Sequence, residues 1–239
     1  MYVTTHAIVI SSVKYNEADL IVKCFTEGYG VKSYLLRGIL KSKKGLLKPA
    51  LFQPFSILEM TVVHRSKADL HSIKEAKLVH PLIQIQTEIP KLSIVLFLSE
   101  VIKQCVQEEE ENRALYHFLE DAIIWLENQT AVADFHLLFL IKLTHYLGFY
   151  PDVSSRHKPF FNPVEGVFED RETNLYSVAV EQVSPIKELL TADFDSLKSL
   201  GITKTQRQSC LELLILYYQL HIQGFKTPKS LSVLKELFK

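Results

Sequence analysis

Between Gly28 and Ile57 the chain carries six basic side chains (Lys32, Arg37, Lys41, Lys43, Lys44 and Lys48) and no acidic one. Ammonium and guanidinium groups strung along a loop neutralise phosphates without reading sequence, so this pattern points to a polyanion track. Lys32 and Tyr34 are two residues apart, which on a strand puts a cation and a ring on one face, the combination that grips a single-stranded backbone and stacks its bases. Arg37 opens the loop that carries Lys41, Lys43, Lys44 and Lys48. Arg65 and Lys67 fall in a second turn, and Lys14 with Tyr15 in a third. Lys32, Tyr34, Arg37, Lys41, Lys43, Lys44, Lys48, Arg65 and Lys67 are therefore the candidate nucleic-acid contacts. The competing reading is plainer: a lysine-rich loop can be solvated charge, and Tyr34 and Tyr15 can be ordinary strand residues packed in a core.

Other chemistries find little support. There is no GxxxxGK[ST], HExxH or GxSxG, and Gly28-Tyr29-Gly30 has Ser33 where a dinucleotide fingerprint needs its third glycine. His136 and His145 are nine apart and fall on different faces of a helix, a poor start for a shared metal. Cys24 lies mid-strand and reads as a small buried hydrophobe. The Glu108–Glu111 run reads as a solvated helix end. No catalytic residue, metal ligand or cofactor is expected, so the sequence favours a binding protein over an enzyme.

The charge is balanced, with 27 basic and 27 acidic residues, but the balance hides an asymmetry. Residues 1–80 hold 12 basic against 6 acidic side chains, and the remainder 15 against 21, so the halves carry opposite excesses of six. Two domains with different partners follow: a basic one that concentrates a polyanion and an acidic one suited to protein contacts. A 239-residue chain can bury a sizeable core without staples. Three widely spaced cysteines with no CxxC fit a reducing compartment. No long apolar run and no charged leader precede the first strand, so a cytoplasmic location without a membrane span is expected.

The elements that would position the basic residues read as strands over the first eighty residues and change period from Pro90. His6–Val13, Leu20–Thr26, Val31–Arg37, Phe55–His64 and Leu70–Leu78 read as five short strands, with hairpin chemistry at Glu27-Gly28-Tyr29-Gly30, and suggest a small closed barrel. From Pro90 onward the apolar residues recur at helical spacing. Asn112 is placed to cap the helix of Leu115–Leu126, and Asp134 to cap Phe135–Leu147, which Gly148 stops. Tyr150–Val180 carries short β-like runs at Phe160–Phe161 and Leu175–Val180. Helical patterns resume at Ile186–Leu190, Asp193–Leu200, Thr205–Ile222 and Ser230–Phe238. The fold class is thus α+β and multidomain: a basic five-stranded barrel over residues 1–80, then a mostly helical domain over 81–239 with a β insertion at about 150–180.

Ordered motifs carry a resemblance. Tyr15-x-Glu17-x-Asp19-Leu20, Thr26-x-x-x-Gly30, Leu36-Arg37-Gly38 with the Lys41/Lys43/Lys44 loop, and Leu51-x-x-Pro54-x-x-x-x-Glu59 resemble the N-terminal domain of the RecO family of recombination mediators. The resemblance continues through Leu147-Gly148-Phe149-x-Pro151, Phe161-Asn162-Pro163-x-x-Gly166 and Lys229-Ser230-Leu231, and so spans nearly the whole chain. It implies an OB-fold joined to a helical domain in a bacterial DNA repair and recombination protein that binds single- and double-stranded DNA and anneals complementary strands. It also implies action with RecR to load RecA onto strands coated by single-strand-binding protein, whose acidic, hydrophobic-ended tail such proteins recognise. Lys142, Arg156, Lys204 or Arg207 could take that tail's carboxylates. Many family members carry a zinc-binding cysteine quartet after the Leu-Gly-x-x-Pro turn. Between Tyr150 and Pro185 this chain has no cysteine and one histidine, His157. The insertion is therefore expected to be metal-free and held by packing of Phe160, Phe161, Val167, Phe168 and Tyr176. Two other classes compete: a scaffold whose barrel binds a peptide or protein instead of DNA, and an enzyme whose site is assembled only in space.

Overall fold

The computed structural model describes residues 2–42, 46–64, 69–107 and 110–238. Five antiparallel strands open the chain: β1 (Tyr2–Lys14), β2 (Leu20–Thr26), β3 (Gly30–Leu36), β4 (Ile57–Val63) and β5 (Ser72–Leu78), in the order β3-β2-β1-β4-β5. The two outer strands meet. Leu35 N–H donates to the His71 carbonyl at 3.0 Å and His71 N–H to the Ser33 carbonyl at 2.8 Å, a parallel bridge that joins β3 to the start of β5. This is the strand order and seam of an OB-fold, as the sequence suggests. Alternation along the strands fills the interior with Ala7, Val9, Val22, Cys24, Tyr34, Leu58, Met60 and Val62, every one fully buried. A short 3-10 helix, Pro49–Phe52, seals the barrel with Phe52.

Helices α1 (Ile83–Thr87), α2 (Ile89–Cys105) and α3 (Arg113–Asn128) follow. Helix begins at Ile83, ahead of the Pro90 read from the periodicity, and the first compact unit runs to Asn128, because α2 packs on β1. β1 is apolar on both faces: Ala7 and Val9 point into the barrel while Ile8 and Ile10 are buried outside its core cluster. Phe25 on β2 meets the Tyr116 ring of α3 at 6.2 Å. Asn112 caps α3, its side chain accepting the Leu115 N–H at 3.0 Å. Fully buried Lys91 ties the helices together, its ammonium donating to Gln84 and, at 2.9 Å, to the Glu127 carbonyl.

The second unit, Gln129–Lys239, is built on α4 (Phe135–Leu147), apolar nearly all round and buried along most of its length. Around it stand α5 (Val180–Val183), α6 (Ile186–Thr191), α7 (Lys204–His221) and α8 (Leu231–Leu237). Two expectations are corrected here. Asp134 precedes α4 but does not cap it, because its carboxylate accepts the Arg207 guanidinium at 2.6 Å. Asp193–Leu200 is not a helix beyond the 3-10 turn Leu197–Leu200. Asp193 and Ser196 instead bond each other's backbone, the local competition these residues offer against helix.

The β insertion is a three-stranded sheet, β7-β6-β8, from β6 (Phe160–Asn162), β7 (Val167–Glu169) and β8 (Val178–Ala179). Phe161 and Phe168 are buried and pack at 5.0 Å, but Tyr176 is exposed and contributes little. The centre of the insertion is polar. Buried Asn162 accepts the Val164 N–H at 3.0 Å and the Asn174 amide at 2.8 Å, and donates to Thr173 at 3.1 Å and Glu169 at 3.3 Å. That amide network occupies the segment where a zinc cluster would need thiolates, and the residues present do not fit a metal.

Candidate nucleic-acid interface

Arg37 and Lys41 are positioned by the turn between β1 and β2. Asn16 folds that turn, its side-chain carbonyl accepting the N–H groups of Ala18 and Asp19 at 2.8 and 2.9 Å. Asp19 then reaches across to accept the Gly38 N–H at 2.7 Å. That hydrogen bond, assisted by the Asn16 amide, holds the Asp19 carboxyl below its ordinary value. Leu40 N–H donates to the Ala18 carbonyl at 2.9 Å, and Lys41 pairs with Glu17 at 3.2 Å. Gly38 sits at φ 68°, a left-handed conformation that lets the chain turn out of β3 immediately after Arg37. The motif residues Glu17, Asp19 and Gly38 are thus one device: they bolt the start of the basic loop to the barrel.

A cleft of about 520 Å³ opens along the β3–β5 seam, lined by Leu35, Arg37, Leu70, His71, Ile73 and Lys74. Lys74 is the residue that sequence reasoning missed. β4 pairs Thr61 with Glu75 and Val62 with Ile73, so Lys74 is the extra residue of a β-bulge. A bulge re-aims a side chain, and here it adds a second cation to the cleft that Arg37 lines. Nothing in the sequence announces it, because the seam brings together strands that are far apart in the chain.

The remaining candidates divide. Arg37, Lys41 and Lys48 are exposed, and Tyr15 is exposed on the β1–β2 turn beside Arg37's loop. Tyr34 is not available for stacking. It is 0% exposed in the barrel core, with its hydroxyl 3.1 Å from His64 Nε2, because the alternation that places it beside Lys32 points both inward. Lys32 is partly buried on that inward face. Lys43, Lys44, Arg65 and Lys67 lie outside the described residues. Burial pushes the Cys24 thiol up, out of reach as a nucleophile. Among the described residues no group of three or more His, Cys, Asp or Glu side chains could hold a metal ion, and no helix is long and apolar enough to cross a membrane.

Of the four cations considered for an acidic tail, Lys204 and Arg207 share a pocket of about 180 Å³ on α7, with Leu211 of the same helix and Leu234, Lys235 and Phe238 at the end of the chain. Arg156 lines a separate open cleft with Lys187. Lys142 is partly desolvated near Asp193, and that burial lowers its affinity for a proton.

Comparison with known proteins matches both parts of the chain to one family. The model of the recombination protein O N terminal matches residues 1–82, and that of the recombination protein O C terminal matches residues 86–231. The chain belongs to the RecO family. It is 43% identical to the DNA repair protein RecO of Christiangramia forsetii and 44% identical to that of Flavobacterium psychrophilum, with the whole of each chain covered. The RecO of Bacteroides fragilis is 35% identical over 98% of both chains. Membership in the RecO family places the protein in DNA repair and recombination, acting with DNA.

Proposed function

We propose that this protein is a non-catalytic cytoplasmic mediator of DNA repair. It binds single- and double-stranded DNA without reading sequence, anneals complementary strands and, with RecR, helps load RecA onto strands coated by single-strand-binding protein. The observation that carries the reading is the seam cleft, which Arg37 and the bulged Lys74 both line. Annealing brings two polyanions together, and the barrier is their mutual repulsion. Lysine and arginine side chains screen it by displacing counterions, with no bond made or broken. Phosphate contacts of this kind position a strand but carry no sequence information.

Recognition of the single-strand-binding protein's tail falls to the helical unit in this reading. The pocket on α7 offers apolar walls at Leu211, Leu234 and Phe238 for a hydrophobic end. Arg207 is already committed to Asp134 and Lys235 to Glu212, which leaves the exposed Lys204 as the cation for an incoming carboxylate.

Titration of the full chain into a fluorescent mixed-sequence single strand, followed by anisotropy at several salt concentrations, tests the DNA reading. Tight binding that weakens steeply with salt is expected, followed by accelerated pairing of complementary strands. A flat, weak response at low salt would hand the barrel to the protein-scaffold reading.

A further inference from the structure

With Tyr34 in the core, the basic track needs another group that can tell a base from a bare phosphate chain. The end of the barrel opposite Arg37 supplies one. β2 and β3 pair from Leu20↔Leu36 at the Arg37 end to Thr26↔Gly30 at the other, and Tyr29 sits in the turn that closes this second end. The residue is 37% exposed, and its ring stands edge-on to the His64 ring, with centroids 4.8 Å apart. His64 is held from behind: its Nε2 lies 3.1 Å from the buried Tyr34 hydroxyl, and its ring is 4.8 Å from that of His71. His71 in turn lines the seam cleft with Arg37 and Lys74. Ring contacts therefore run from Tyr29 through His64 to His71, which lines the cleft with the two cations.

We propose that Tyr29, braced by His64, is a base-stacking subsite, so that a single strand is stacked at one end of the barrel and held by charge at the other. The proposal rests on the DNA-binding reading and deepens it by naming what selects unpaired bases. Burial, with the charges of His71 and Lys32 adding to it, holds the His64 imidazole down at about 4, so the brace is neutral at physiological pH and contributes a surface, not a charge. Bracing matters because a ring already fixed in place loses little freedom when a base lies on it. Tyr15, although more exposed, has no ring neighbour among the described residues and lacks that advantage. A duplex keeps its bases stacked on each other and presents none to Tyr29, so the subsite separates single from double strands.

The test compares wild type, Tyr29→Ala and Tyr29→Phe of the full chain on three probes: an intact single strand, an abasic strand of equal length and a duplex. Tyr29→Ala should weaken the intact strand by about tenfold, in line with alanine substitutions at other stacking sites, while leaving its salt slope, the abasic strand and the duplex unchanged. Tyr29→Phe should bind as wild type. Unchanged affinity of Tyr29→Ala for the intact strand would overturn the proposal. Equal weakening on the abasic strand would do so too, because the residue would then be acting on the backbone or the fold. Wild type that binds neither strand at low salt would overturn the DNA reading and this proposal together, an outcome distinct from both.

Discussion

The double substitution Arg37→Ala/Lys74→Ala gives the sharpest test of the seam cleft, because it joins a residue legible in the sequence to one that only the fold reveals. Both line the same cleft, and neither belongs to the barrel core. Suppose Arg37, Lys74, Lys41 and two further lysines of the β3–β4 loop neutralise about five phosphates of a single strand. Log affinity then falls with log salt at a slope of about −3.5, or roughly 130-fold between 50 and 200 mM. Removing two of the five brings the slope to about −2.1 and the loss over the same range to roughly 18-fold. The assay is anisotropy of a labelled mixed-sequence strand at four or five salt concentrations, with a urea unfolding curve to confirm that the variant is folded. The single variants should each move the slope by about 0.7, in the same direction and independently of oligonucleotide sequence. A folded Lys74→Ala variant with the wild-type slope would refute the reasoning that the bulge recruits this side chain, even if Arg37→Ala behaves as expected.

Three further expectations concern the supports around the site and the helical unit. Glu17 competes with phosphate for Lys41 in an exposed pair at 3.2 Å, and such pairs are weak, so Glu17→Gln should raise single-strand affinity about two- to fourfold at low salt, measured by the same titration. At Gly166, φ is 69° and an added Cβ would lie 2.6 Å from the Tyr217 hydroxyl, which itself donates to the Phe149 carbonyl at 2.6 Å. Gly166→Ala should therefore destabilise the protein by at least about 2 kcal/mol, read as a lower urea midpoint. Burial, with the Arg207 charge adding to it, pushes the His136 imidazole from 6.5 down to about 3. Because the unfolded chain takes up this proton at a higher pH than the folded one, its contribution is complete above about pH 6.5. It is lost as pH falls toward 3, by up to about 1.4 kcal/mol per pH unit. Wild type should lose more stability between pH 7 and pH 5 than His136→Leu does.

The residues that were readable in the sequence and those that were not differ by a physical rule. The five strands were legible because each has its own period-2 pattern and its own turn residues, and β2 falls on Leu20–Thr26 as read. Asn112 and Gly148 were legible for the same local reason, one as a cap and the other as a left-handed stop. Tyr34 was misplaced because alternation says that two side chains share a face without saying which face is inside. That choice is made by closure of the barrel, when the β3–β5 bridge turns the face of Val22, Cys24 and Tyr34 inward. Lys74 was missed because a bulge is a defect in pairing between two strands and leaves no mark on either alone. Asp134 looks like a cap and serves instead as a partner to Arg207, 73 residues away, since a partly buried guanidinium demands a carboxylate more strongly than a helix end that water can also satisfy. Local chemistry thus wrote the elements and the basic loop into the sequence. The groups that decide what the loop can hold, Lys74 on one strand and Tyr29 against His64 at the far end, acquire their roles only when the ends of the sheet meet.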